Sequence, residues 1–137
     1  MFLKYLIHVL FPVITGGLIY IGFREPQLLL FNWINILGLG QIAGEIRVYM
    51  INNVNIFPNQ LIYSMPGALW LYSFISFNFL LWINSKSKAR IFWIIVPIFI
   101  AFHHELFQKF NLISGTYSNT DILYYLSSIL FAYFTLI

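Results

Sequence analysis

Apolar side chains run almost unbroken from about Leu6 to Phe23, interrupted by His8, Pro12 and Thr15, and stop at Arg24-Glu25-Pro26. A hydrocarbon core is crossed by ~20 helical residues, and Pro26 disfavours helix at the residue before it. A second run opens at Pro66-Gly67 and reaches Ile83; proline suits a first helical turn, where no N–H is needed. A third extends from Ile91 to about Phe107, with Pro97 as an expected kink. The fourth, Ile122 to Ile137, follows Asp121, which is expected to cap it. No small-x-small cleavage site follows the first run, so it reads as a retained span.

Residues 27–44 follow a different pattern. They are apolar at Leu28 to Phe31, Trp33, Ile34, Ile36, Leu37, Leu39 and Ile42, yet carry Asn32, Asn35, Gln41 and three glycines. Asn32 and Asn35, three apart, give a helix one polar edge. This stretch is expected to be an amphipathic interfacial or re-entrant helix, with a fifth span as the alternative. Gly40 and Gly44 have the small-xxx-small spacing of helix contacts. From Glu45 to Tyr63 the chain is at its most polar, with Arg47, Asn52, Asn53, Asn55, Asn59 and Gln60. It reads as an extramembrane connection with one helical turn. The fold expected is one all-α domain, an integral membrane four-helix bundle with the additional helix over 27–44.

Composition supports the same solvent. The 137 residues are 61% hydrophobic and 8% charged, with a mean hydropathy of +0.84, whereas soluble domains are ~25% charged. Eleven formal charges cannot cover a water-soluble globule, so a soluble enzyme and a disordered tail are both excluded. Cysteine is absent, which removes disulfides, thiolate metal sites and cysteine nucleophiles. The abundance of Ile, Phe and Asn points to an AT-rich bacterial genome.

The net charge of +3 bears on topology rather than on nucleic acid, since no basic stripe exists. Asn84 to Arg90 holds Lys86, Lys88 and Arg90 with no acid, and is placed in the cytoplasm by the positive-inside rule. With four spans, Lys4 joins them inside, and Arg24, Arg47 and Lys109 lie outside. With five, Lys4 and Arg24 exchange sides, so charge does not separate the two. The Asn pair and the glycines favour four.

The chemistry is confined to few side chains. The acids are Glu25, Glu45, Glu105 and Asp121. Either topology puts Glu45, Arg47, Glu105, Gln108 and Asp121 on the outer side, with His104 just inside the span end. Ionisable groups at membrane depth are functional candidates by default, so Glu45, Arg47, His104, Glu105, Gln108 and Asp121 form the candidate binding cluster. On a helix His104 and Gln108 (four apart) and Glu105 and Gln108 (three apart) share a face, from which His103 diverges. The His-Glu-x-x-His zinc spacing is absent, and neither metal nor cofactor is expected. A Ser-His-Asp set from Ser64 or Ser114, a histidine and Asp121 has no surrounding nucleophile motif. Arg47 is expected to anchor at the interface or pair with Glu45 or Glu105, Arg24-Glu25 to be a membrane-edge pair, and His8 to be a satisfied interfacial histidine.

Glu105-x-x-Gln108, then Ser114-Gly115-Thr116-Tyr117, then Asp121 before the last apolar helix resembles the VanZ-like family of small bacterial membrane proteins. The earlier chain is similar to Bacteroidetes-type members. It carries Ile19-Tyr20-Ile21-Gly22-Phe23-Arg24, Phe31-Asn32-Trp33, Leu37-Gly38-Leu39 and Tyr63-Ser64-Met65-Pro66-Gly67-Ala68-Leu69-Trp70. The Asp-Lys-x-x-His motif common in that family before the second span is replaced here by Tyr63-Ser64-Met65-Pro66, so no role of those charged residues carries over. The resemblance implies four spans in the bacterial inner membrane and a link to glycopeptide resistance.

Three readings follow. A non-catalytic envelope protein would recognise a lipid-linked or amphiphilic head group through Arg47, Glu105, Gln108 and Asp121. A small membrane enzyme would use His104 and Glu105 on a lipid-linked substrate. A homo-oligomeric pore or subunit would associate through Asn32, Asn35 and Gly40-x-x-x-Gly44. Membrane lipids are partners in all three, and nucleic acid in none.

Overall fold

The structure, a computed structural model, describes residues 2–53 and 58–136. Over these the chain is all-helical. Its helices are α1 (Phe2–Phe23), α2 (Leu29–Ile36), α3 (Gly40–Asn53), α4 (Asn59–Leu81), α5 (Ala89–Lys109) and α6 (Asn119–Leu136). Of these, α1, α4 and α5 are long and apolar enough to cross a membrane, consistent with a membrane protein. Residues 54–57 of the expected polar connection, Asn55 among them, and Ile137 at the end of the last apolar run lie outside the described residues.

Burial identifies the centre. In the most apolar stretch of α4, 61% of residues are buried, against 17% for α1 and 11% for α5. α4 packs against α6, α1 and α5, while α5 and α6 meet each other sparsely. The inward face of α4 mixes Leu71, Ile75 and Phe79 with Ser64, Ser73, Ser76 and Asn78. The outward faces of α1 and α5 are apolar, including Phe11, Ile14, Phe92, Ile95 and Phe99. Polar groups turned inward and apolar groups outward suit a lipid solvent.

The seam between α1 and α4 is built from backbone approach and hydrogen bonds. Gly16 is buried, and a Cβ there would lie 2.8 Å from the Trp70 indole nitrogen. Trp70 Nε1 donates to the Val13 carbonyl (3.3 Å) and Ser73 Oγ to that of Val9 (2.9 Å). Tyr72 Oη bonds His8 Nδ1 (2.5 Å) and Thr135 Oγ1 (3.2 Å), so one side chain ties α1 and α6 to α4. Within α1, Leu6–Leu10 is a π turn in which the Phe11 N–H reaches the Leu6 carbonyl. Pro12 follows directly; it cannot donate to the turn before it, and the wider π turn accommodates its ring.

The stretch 27–44 is not one helix. α2 ends in a Schellman turn: Gly38, at φ +74°, donates to the Asn35 carbonyl, and Leu39 donates to that of Ile34 (both 3.0 Å). The Asn35 side chain occupies the space above Gly40, whereas Gly44 faces open space, so this pair makes no glycine–glycine helix contact within the chain. At 1.5 Å per residue, α2 and α3 extend about 12 and 21 Å, too short for a ~30 Å core.

Two boundaries correct the sequence reading. The polar stretch from Glu45 is not a connection with a single turn but the body of α3, packed along α1. It holds good helix formers, no proline and a Gln41–Glu45 bond of 3.1 Å. Likewise α4 begins at Asn59 after Pro58, not at Pro66. Pro66 is buried within the helix, and membrane helices tolerate such prolines where neighbours cover the freed carbonyl. α5 continues through Pro97.

Candidate functional site

The carboxyl ends of α1 and α5 meet the amino ends of α4 and α6 at the end opposite the basic loop 84–90. There the Glu105 carboxylate is 3% exposed. It is held by residues that precede and open α6. The Ser118 N–H donates to Glu105 Oε2 (3.4 Å), and the helix that follows carries Asp121 in its first turn and Tyr125 in its second. Asp121 and Tyr125 are one turn apart on α6 and so share its face.

Asp121 is not the helix cap expected of it. Ser118 takes that place, its Oγ accepting the Thr120 N–H (3.2 Å) as an N-cap side chain does. Thr120 Oγ1 in turn meets Ser118 Oγ (2.5 Å) and Ser64 Oγ of α4 (3.1 Å). A chain of hydroxyls thus joins α4 to α6 beside the buried acid. The Ser64 hydroxyl is engaged with Thr120, not with a histidine. Gly67, one turn on along α4, leaves room for Tyr125, whose Oη lies 3.1 Å from where a Cβ would stand.

Gln108 is half-buried, and its amide fills the position that a Cβ on Gly115 would take. Gly115 is at φ +131°, a region that disfavours side chains. The Glu-x-x-Gln pair and the Ser-Gly-Thr turn are therefore one packed unit: Glu105 takes the end of the turn and Gln108 its glycine.

Two arginines close the α1 side. Arg24, the C-cap of α1, donates through Nη2 to the Tyr63 carbonyl (2.8 Å). Its guanidinium carbon lies 4.9 Å from the centre of the Tyr63 ring and 5.6 Å from that of Tyr20. Its Nε is buried and finds no hydrogen-bond partner among the described residues. Arg47 of α3 donates through Nη1 to the Arg24 carbonyl, satisfying an orphan acceptor at a helix end with a cation. Arg47 does not hydrogen-bond Glu45 or Glu105, and Arg24 is fastened to Tyr63 and not to Glu25.

The remaining candidates stand apart. Glu45 is exposed on α3, accepts from Gln41, and lines a shallow groove with Val48, Tyr49 and Asn52. His104 is exposed on α5, beside rather than within the knot around Glu105. His103 bonds the Phe99 carbonyl through Nδ1 (2.9 Å) and stacks on the Phe99 ring. Among the described residues no three of His, Asp and Glu are grouped to hold a metal ion.

The structure thus brings Glu105 and Gln108 of α5 against the segment 115–118 that leads into α6 and its Asp121, while Arg47 bonds Arg24 on the α1 side. Sequence reasoning missed Arg24, Ser118, Thr120 and Tyr125. Only Tyr125, four residues after Asp121, carried a readable spacing signal. Comparison with protein-family models, curated proteins and solved structures returns no match for this chain.

Proposed function

We propose that this chain is a non-catalytic, multi-pass protein of the bacterial inner membrane, VanZ-like in type. α1, α4, α5 and α6 are its four spans, and the α2–α3 pair rests at the outer surface. The basic loop 84–90 then faces the cytoplasm, and the Glu105 knot faces out. Its role is to bind the polar head of a lipid-linked or amphiphilic molecule there and so to alter susceptibility to glycopeptide or lipopeptide agents.

One observation carries this reading: Glu105, buried, accepts from Ser118 at the amino end of α6, whose first turn carries the half-buried Asp121. Two acids at one end of the bundle repel, and a donor-rich or cationic head group relieves that repulsion. Asp121, the more accessible, meets the ligand first. The enzyme reading is weaker, because His104 is exposed outside the knot that encloses Glu105.

Expression in a susceptible bacterium is expected to raise tolerance to a glycopeptide or lipopeptide. Glu105→Gln and Asp121→Asn are expected to remove that gain at equal membrane abundance. Unchanged tolerance at every expression level overturns the proposal.

A further inference from the structure

The other end of the bundle holds a second feature, independent of the Glu105 knot. α5 and α6 both lean on α4 but scarcely on each other, and a cavity of about 470 Å³ opens between them. That volume lies within the ~300–1,000 Å³ of small-molecule sites. Its floor is apolar, from buried Ile75 and Phe79 of α4, and its walls carry Ile94 and Ile129. Its mouth is the loop that supplies Lys86, Lys88 and Arg90, with no acid among the lining residues.

We propose that this cleft seats one anionic glycerophospholipid, an acyl chain against Ile75, Ile94 and Ile129 and the phosphate on Lys86, Lys88 and Arg90. Charge complementarity selects the occupant. A basic pocket between membrane helices on the cytoplasmic side is suited to a phosphate head group. Arg90 is already posted at the rim, its guanidinium carbon 4.3 Å from the centre of the Phe79 ring. Ser85 Oγ accepts the Ser87 N–H (3.1 Å) and Ser87 Oγ accepts that of Ala89 (3.2 Å), which leaves both O–H groups to donate to a phosphate beside the cations. Topology alone accounts for positive charge in this loop, but it does not require an apolar cavity behind it.

Native mass spectrometry of the intact chain in detergent, with phosphatidylglycerol or phosphatidylcholine added, tests the proposal. One phosphatidylglycerol is expected to stay bound where phosphatidylcholine is lost. The triple variant Lys86→Gln, Lys88→Gln, Arg90→Gln is expected to weaken retention by roughly tenfold or more. Ile91→Trp, which adds bulk at an exposed cleft-lining position without changing charge, is expected to weaken it comparably. Equal retention of the two lipids overturns the proposal, as does a phosphatidylglycerol preference that survives the triple variant. Loss in the triple variant with full retention in Ile91→Trp also overturns it, since the loop would then attract lipid without a seat.

Discussion

Gly115 and Gln108 show how one residue constrains another seven positions away. Gly115→Ala places a methyl group where the Gln108 amide sits and forces a side chain onto φ +131°. The expected cost is about 1–3 kcal/mol, read as a lower melting temperature in detergent. Gln108→Ala in the same chain is expected to return the steric part and leave the backbone part, so the double variant melts between Gly115→Ala and the parent. Equal melting of Gly115→Ala and the double variant would show that the two do not touch. The sequence made Glu105, Gln108 and Asp121 legible because acids and amides are scarce here and their spacing is helical. Arg24 was not legible, because its partner carbonyl belongs to Tyr63, 39 residues on. His104 was read into the site from its i,i+4 spacing to Gln108, yet it is exposed on α5 while Gln108 is half-buried.

Helix contacts set the next scale. Gly16 and Gly17 are adjacent, but only Gly16 touches another element: a Cβ there meets Trp70 and the Pro66 carbonyl, and one on Gly17 meets nothing within 4 Å. Gly16→Leu is expected to wedge α1 from α4 and cost about 1–3 kcal/mol, as overpacking does. Gly17→Ala is expected to be neutral or to stabilise by up to about 1 kcal/mol through helix propensity. Thermal unfolding of both in one detergent checks the contrast, and equal effects would contradict this seam. The long apolar runs of α1 and α5 were readable because lipid-facing helices need little else. α3 was not, since its Glu45, Arg47, Asn52 and Asn53 look like a connection when polarity is weighed without helix propensity. The start of α4 was obscured by Pro66, a stop signal in water that is tolerated where neighbouring helices pack around it.

Over the whole molecule, the four crossings proposed above would place residues on opposite faces in a way labelling can read. The chain has no cysteine, so single substitutions report cleanly. Ser87→Cys is expected to react with an impermeant thiol reagent only in inside-out vesicles. Asn52→Cys and Ser114→Cys are expected to react only in right-side-out ones. Asn52 and Ser114 on different sides would separate α3 from the Glu105 knot and end the outer-site proposal. All-helical architecture was evident from hydropathy, but which helix is central was not. α4 is the least apolar of the three long apolar helices and the most enclosed, and enclosure depends on neighbours no local pattern reveals.

The order of synthesis gives that central helix a further significance. A nascent chain emerges amino end first, so α4 enters the membrane with α1 already made and with α5 and α6 still to come. During that interval its serines and Asn78 lack whatever cover α5 and α6 will bring to α4. The step most dependent on the insertion machinery is therefore the entry of α4 rather than that of α1.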